Sequence, residues 1–107
     1  MPGFVAAAEE IKKKGVDTIA CISVNDAFVM DAWGKHQKTD DKVMMVADGN
    51  GEFTRAMGLT TDASKSGLGT RSQRYAMIVE DGIIKNLFVE KPGAFEESSA
   101  ENVLKHL

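Results

Sequence analysis

The sequence predicts an α/β fold in which a mixed sheet is flanked by helices, and three observations carry that prediction. Helical and strand-like patterns alternate from the N-terminus to Gly58 in the order α, β, α, β, α, which implies parallel strands with helices packed on them. Two apolar runs joined by Asp81-Gly82 then give the strongest short hairpin signal a sequence offers. The length, 107 residues, fits one small domain.

Residues 1–15 (MPGFVAAAEEIKKKG) carry one amphipathic helical pattern. Phe4, Ala8 and Ile11, with Ala7, form a stripe at helical spacing, Glu9, Glu10, Lys12 and Lys13 form the wet face, and Gly15 supplies the stop. Pro2 suits a first turn, yet no Ser, Thr, Asp or Asn precedes it as a cap, so the helix reads as entered partway along. Residues 17–24 (DTIACISV) are apolar on both faces, the pattern of a buried parallel strand. Asn25 or Asp26 is placed to cap a helix over residues 27–36, with Phe28, Ala32 and Trp33 facing inward. Residues 42–47 form a second strand, 48–51 a turn, and 52–57 a short helix ended by Gly58.

Residues 60–73 are polar and glycine-rich and read as a loop long enough to suggest a task. The hairpin strands follow at 74–80 and 83–90. A loop with Pro92 and Gly93 leads to a terminal helix over 100–107, capped by Ser98 or Ser99, and Ser98 with Glu101 has capping-box spacing.

Composition narrows the function classes. Thirteen Lys and Arg against sixteen Asp and Glu leave a net charge of −3, so no basic field for nucleic acid or acidic lipid is expected. A single cysteine, Cys21, excludes an internal disulfide framework and a CxxC pair, and His36 and His106 add no zinc-ligand spacing, so no metal or other cofactor is expected. Apolar runs stay far below the roughly 20 residues needed to cross a bilayer, and no basic-then-apolar leader is read at the N-terminus. The chain is expected to be soluble and cytoplasmic.

Several motifs weigh less than they first suggest. Asp48-Gly-Asn-Gly-Glu-Phe resembles the opening of a calcium loop, but Phe53 stands where glycine is required and Leu59 where a bidentate Glu is required. Gly67-Leu-Gly69-Thr-Arg-Ser72 is a partial dinucleotide fingerprint that precedes a strand rather than a helix. Cys21, mid-strand, reads as a small buried hydrophobe with a raised pKa rather than a nucleophile. Arg71 and Arg74 read on charge pattern as solvated loop arginines, with an anion or thiolate partner as the functional reading. Trp33, Met44, Met45 and Met77 fall at core-like positions, and His36 and His106 at helix C-termini, where a cation is favoured.

Five stretches together resemble one family: MPGFV, DTIACISVNDAFVMDAWGK, VMMVADGNGEFTRAMGL, GLGTRSQRYAMIVEDG and SSAENVLKHL. In order and spacing they are similar to the type II branch of the peroxiredoxins, over essentially the whole chain. That resemblance implies a thioredoxin-like fold, reduction of hydrogen peroxide and alkyl hydroperoxides at a peroxidatic cysteine, and recycling by glutaredoxin with glutathione or by thioredoxin. It also implies that Arg74 matches the family's active-site arginine, which holds the thiolate and the peroxide oxygen. Arg71 is a neighbour of that position.

The family's PxxxTxxC stretch, expected just ahead of Met1-Pro2-Gly3-Phe4, is not among these residues. Cys21 matches a buried second cysteine on the following strand, found in some members and not generally essential. The chain is therefore expected to be one partial redoxin domain over 1–107, lacking its N-terminal strands, with weak or no peroxidase activity of its own. The strand expected between those matching 17–24 and 74–80 is also missing, which leaves two half-sheets with unpaired inner edges that are costly to bury. The edges can pair with each other, a second chain can swap an element in, or the missing residues can associate. A homodimer, with strand swapping as the favoured route, is the expected partner arrangement. The competing class is a non-enzymatic thioredoxin-like interaction module in which Arg74 binds a carboxylate or nothing.

Overall fold

The computed structural model describes residues 2–107. In chain order its elements are α1 (Pro2–Ala6), α2 (Ala8–Lys13), β1 (Ala20–Ser23), α3 (Ala27–Gln37), β2 (Met44–Ala47), α4 (Glu52–Ala56), β3 (Thr60–Asp62), a 3-10 turn (Ser64–Ser66), β4 (Thr70–Ser72), β5 (Tyr75–Glu80), β6 (Ile83–Val89) and α5 (Ala100–Lys105). They pack as two compact units, one ending at Ser72 and one running from Gln73 to Leu107.

In the first unit the single helix predicted over 1–15 is two helices, interrupted at Ala7, although the Ala7 N–H still donates to Gly3 O at 3.0 Å. Ala8 and Ile11 are buried, as the stripe requires, and Gly15 ends the pattern with φ 97°, a conformation that favours glycine. Strand β1 pairs in parallel with β2, Ala20 opposite Met44 and Ser23 opposite Ala47. It is shorter than expected and half-buried rather than buried, because it has a strand neighbour on one side only.

Helix α3 corrects the sequence reading of its inward face. Asp26 caps it, its carboxylate accepting from Val29 N–H at 2.8 Å, and Met30 and Gly34 are the buried residues. Phe28 is 87% exposed while Met30 is 2% exposed. Phe28 and Ala32 share a helical spacing with each other, but each lies two residues, about 200° of helix, from Met30, so both face outward. Trp33 is half-buried. Gly34 favours this choice of face: a Cβ there would stand 2.9 Å from Met45 Cγ, so a larger residue would force the Met45 side chain to shift. Met44, read as core-like, is 57% exposed at the first position of β2.

The segment read as a loop over 60–73 is mostly a small antiparallel hairpin. Thr60 pairs with Ser72, Thr61 with Arg71 and Asp62 with Thr70, around the 3-10 turn and glycines at positions 67 and 69 with φ 74° and 68°. Three-residue polar strands carry no alternation of apolar and polar residues to read.

The second unit follows its sequence signal closely. Strands β5 and β6 pair from Tyr75–Val89 to Glu80–Ile83, with an irregularity at Ile78/Val79. Asp81 and Gly82 have φ 51° and 77°, both positive, as a type I′ turn requires. Helix α5 is capped by Ser99, whose hydroxyl accepts from Asn102 N–H at 3.2 Å, and it buries Ala100 and Val103. His106 ends it, its ring 4.8 Å from that of Phe88. Among the described residues the strands form three two-stranded sheets, β1 with β2, β3 with β4 and β5 with β6.

Candidate functional site

Cys21 sits in the middle of β1, opposite Met45. It is half-buried, and burial pushes its thiol above the ordinary value. Burial of this kind disfavours the thiolate, the form that acts as a nucleophile.

At the carboxyl end of the same strand stands Arg71. Its Nη1 donates to Val24 O at 2.7 Å and to Asn25 Oδ1 at 2.9 Å, and its Nε donates to Leu68 O at 3.0 Å. The reading of Arg71 as a solvated loop arginine is corrected: it is half-buried and ties the β3–β4 hairpin to the end of β1. Pairing partners 46 and 47 residues apart left no local signal for this contact.

Asp48, first residue of the calcium-like stretch, is spent on the start of α4. Its carboxylate accepts from Phe53 N–H, Thr54 N–H and the Thr54 hydroxyl at 3.2, 2.8 and 2.6 Å, and the Thr54 bonds hold it below the usual carboxylate range. Among the described residues no group of three or more His, Cys, Asp or Glu is placed to hold a metal ion. None of the described helices is long and apolar enough to cross a membrane.

Arg74 lies in the second unit, just ahead of β5, and is exposed. Its carbonyl accepts from Glu90 N–H at 2.9 Å, and its guanidinium carbon stands 5.0 Å from the centroid of the Phe95 ring, a cation–π contact. Among the described residues of its unit it has no ion pair. Cys21 and Arg74 belong to different units, and each is placed by its own strand.

Glu90, read from sequence only as the last residue of a strand, is a further feature of this unit. It is 6% exposed, yet Oε2 accepts from Glu96 N–H at 2.8 Å, Ser98 N–H at 2.8 Å and the Ser98 hydroxyl at 2.7 Å, while Oε1 accepts from Glu97 N–H at 3.1 Å. Burial pushes the carboxyl up, but these donors outweigh it and leave it at about 2. Ser98 is thereby committed to Glu90, which is why Ser99 and not Ser98 caps α5.

The Redoxin family model matches residues 1–104. Peroxiredoxin-2E, chloroplastic, of Arabidopsis thaliana is 54% identical over the whole chain, which spans 47% of that relative. Peroxiredoxin-2B of the same plant is 50% identical, and the chain spans 66% of it. Among solved structures, reduced Prx3 in complex with hydrogen peroxide from Vibrio vulnificus superposes with a TM-score of 0.94 at 51% identity, over 99% of this chain and 68% of that one.

Proposed function

Because the chain belongs to the redoxin family, in its peroxiredoxin branch, and has that family's thioredoxin-like fold, we propose that it supplies the arginine side of a thiol peroxidase site. The substrates are hydrogen peroxide and alkyl hydroperoxides. In this chemistry a cysteine thiolate attacks one peroxide oxygen and the O–O bond breaks. The leaving oxygen takes a proton to become water or an alcohol, and the cysteine is oxidised to a sulfenic acid. A dithiol reductant or two glutathione thiols return it to the thiol, releasing water and a disulfide. Arg74 stabilises the thiolate and the negative charge that develops on the leaving oxygen, because a guanidinium stays charged and offers several donors to one site.

The observation that carries the reading is the setting of Arg74. It occupies the matched position in GLGTRSQRYAM, it is exposed, and its guanidinium is held over Phe95 without an ion pair from its own unit. Cys21 is given no nucleophilic role in this reading, since it is half-buried and burial raises its thiol. The reductant is glutaredoxin with glutathione, or thioredoxin. The chain acts as a single partial redoxin domain in the cytoplasm and assembles as a homodimer, with a second copy satisfying its open strand edges.

Hydroperoxide consumption with glutathione and glutaredoxin supplied tests this directly. The 107-residue chain and its Cys21→Ser variant should both stay at the rate of an ordinary thiol. Fused behind the PxxxTxxC portion of a type II relative, the chain should turn over, and Arg74→Gln should lower that rate about 100-fold or more, the scale of losing a transition-state donor. A fusion indifferent to Arg74→Gln would overturn the assignment of Arg74, and a rate in the chain alone that vanishes with Cys21→Ser would make Cys21 the nucleophile.

A further inference from the structure

We propose that Glu90, acting through Phe95, is the positioning residue of Arg74. The inference rests on the reading of Arg74 as the anion-holding group and names what keeps its guanidinium in place.

An exposed arginine on a long stem samples many rotamers, and a donor that must meet a developing charge works only if it is held before the reaction begins. Among the described residues of its unit, the side-chain contact of Arg74 that can do this is the ring of Phe95 at 5.0 Å. Phe95 lies in an irregular segment between β6 and α5 and is itself 54% exposed, so its own burial does not fix it.

What fixes it is the chain immediately after it. The N–H groups of Glu96, Glu97 and Ser98, three in succession, all point at the Glu90 carboxylate, and the Ser98 hydroxyl joins them. Successive N–H groups converging on one anion form a rigid concave turn, and the buried carboxylate is its filling. Removing it would leave three amides without their acceptor, two of them on the residues directly following Phe95. Glu90 also donates its own N–H to the Arg74 carbonyl. One residue thus holds the Arg74 backbone directly and the Arg74 guanidinium through the ring. The geometry needs no cation beside Glu90, because its charge is met entirely by hydrogen-bond donors.

The test is nuclear magnetic resonance of the arginine side chains in the 107-residue chain. A proton over an aromatic face is shifted upfield, so the Arg74 Nε–H signal, assigned by its loss in Arg74→Lys, should lie upfield of those of Arg55 and Arg71. Phe95→Leu should abolish the shift and Phe95→Tyr should retain it. Glu90→Gln should abolish it too, although the ring is still present, while the amide signals of β5, β6 and α5 stay in place. A merely structural role for Glu90 would move those amides and not the guanidinium alone. Should Glu90→Gln unfold the second unit, Ser98→Ala, which removes one of the four donors, is read instead and should weaken the shift. A folded Glu90→Gln or Ser98→Ala protein with an unmoved Arg74 signal would overturn the proposal, as would an unshifted signal in the native chain. The role of Arg74 itself is judged by the hydroperoxide assay, so an Arg74→Gln fusion of full activity removes that reading whatever the resonance shows.

Discussion

Four donors converge on the Glu90 carboxylate and hold it at about 2, against an ordinary 4.5. A group whose folded value is lowered contributes stability above its ordinary value, and that contribution is lost as pH falls towards the folded value. Native Glu90 and a Glu90→Gln variant should therefore differ most in denaturant midpoint above about pH 5, and the gap should close as pH drops from about 4.5 to about 2. Asp48 and Asp62 are lowered in the same direction by Thr54 and Ser64, so the native chain loses stability in acid through all three, and the comparison with Glu90→Gln isolates one. A gap that persisted unchanged in acid would contradict this account. At this scale the sequence was partly legible. The raised thiol of Cys21 follows from an apolar strand, whereas the anchoring of Arg71 and the clamp at Glu90 depend on residues brought together only by folding.

Among the elements, α3 shows how a correct helix can carry an incorrect face. Its span and its Asp26 cap follow from local chemistry, since a carboxylate at the first turn satisfies an orphan N–H wherever the helix lies. Its face does not, because Phe28 with Ala32 and Met30 with Gly34 are equally good helical pairs, and the approach of Gly34 to Met45 selects the second. Stability should follow the structure. Met30→Ala, which empties a buried site, should cost about 2–5 kcal/mol. Phe28→Ser, on an exposed site, should stay within about 0.5 kcal/mol. Urea unfolding of the two variants measures both, and a costlier Phe28→Ser would restore the inward face read from sequence. The β3–β4 hairpin was illegible for a different reason: its strands are short and polar, so their pairing is set by the chain around them.

For the molecule as a whole, the open edges of β1 and β5 are the feature that matters most. Each strand has one strand neighbour among the described residues, and a sheet edge is where a second chain can add a strand. Light scattering should accordingly give the mass of two chains, and a mass of one chain at micromolar concentration would count against the homodimer. The chain spans about half the length of Peroxiredoxin-2E.

The sequence by itself determined the order of the helices and strands outside residues 60–72, the Asp81-Gly82 turn, a helix cap at Asn25 or Asp26 and the family, because each is written in neighbouring residues or in fixed spacing. Tertiary structure alone decided which face of α3 is buried, that residues 60–72 pair with each other, that Arg71 holds the end of β1, and that Glu90 and Phe95 stand beneath Arg74. Those outcomes depend on close approach between segments far apart in the chain, where packing space and unmet hydrogen-bonding groups select among local patterns that are otherwise equivalent.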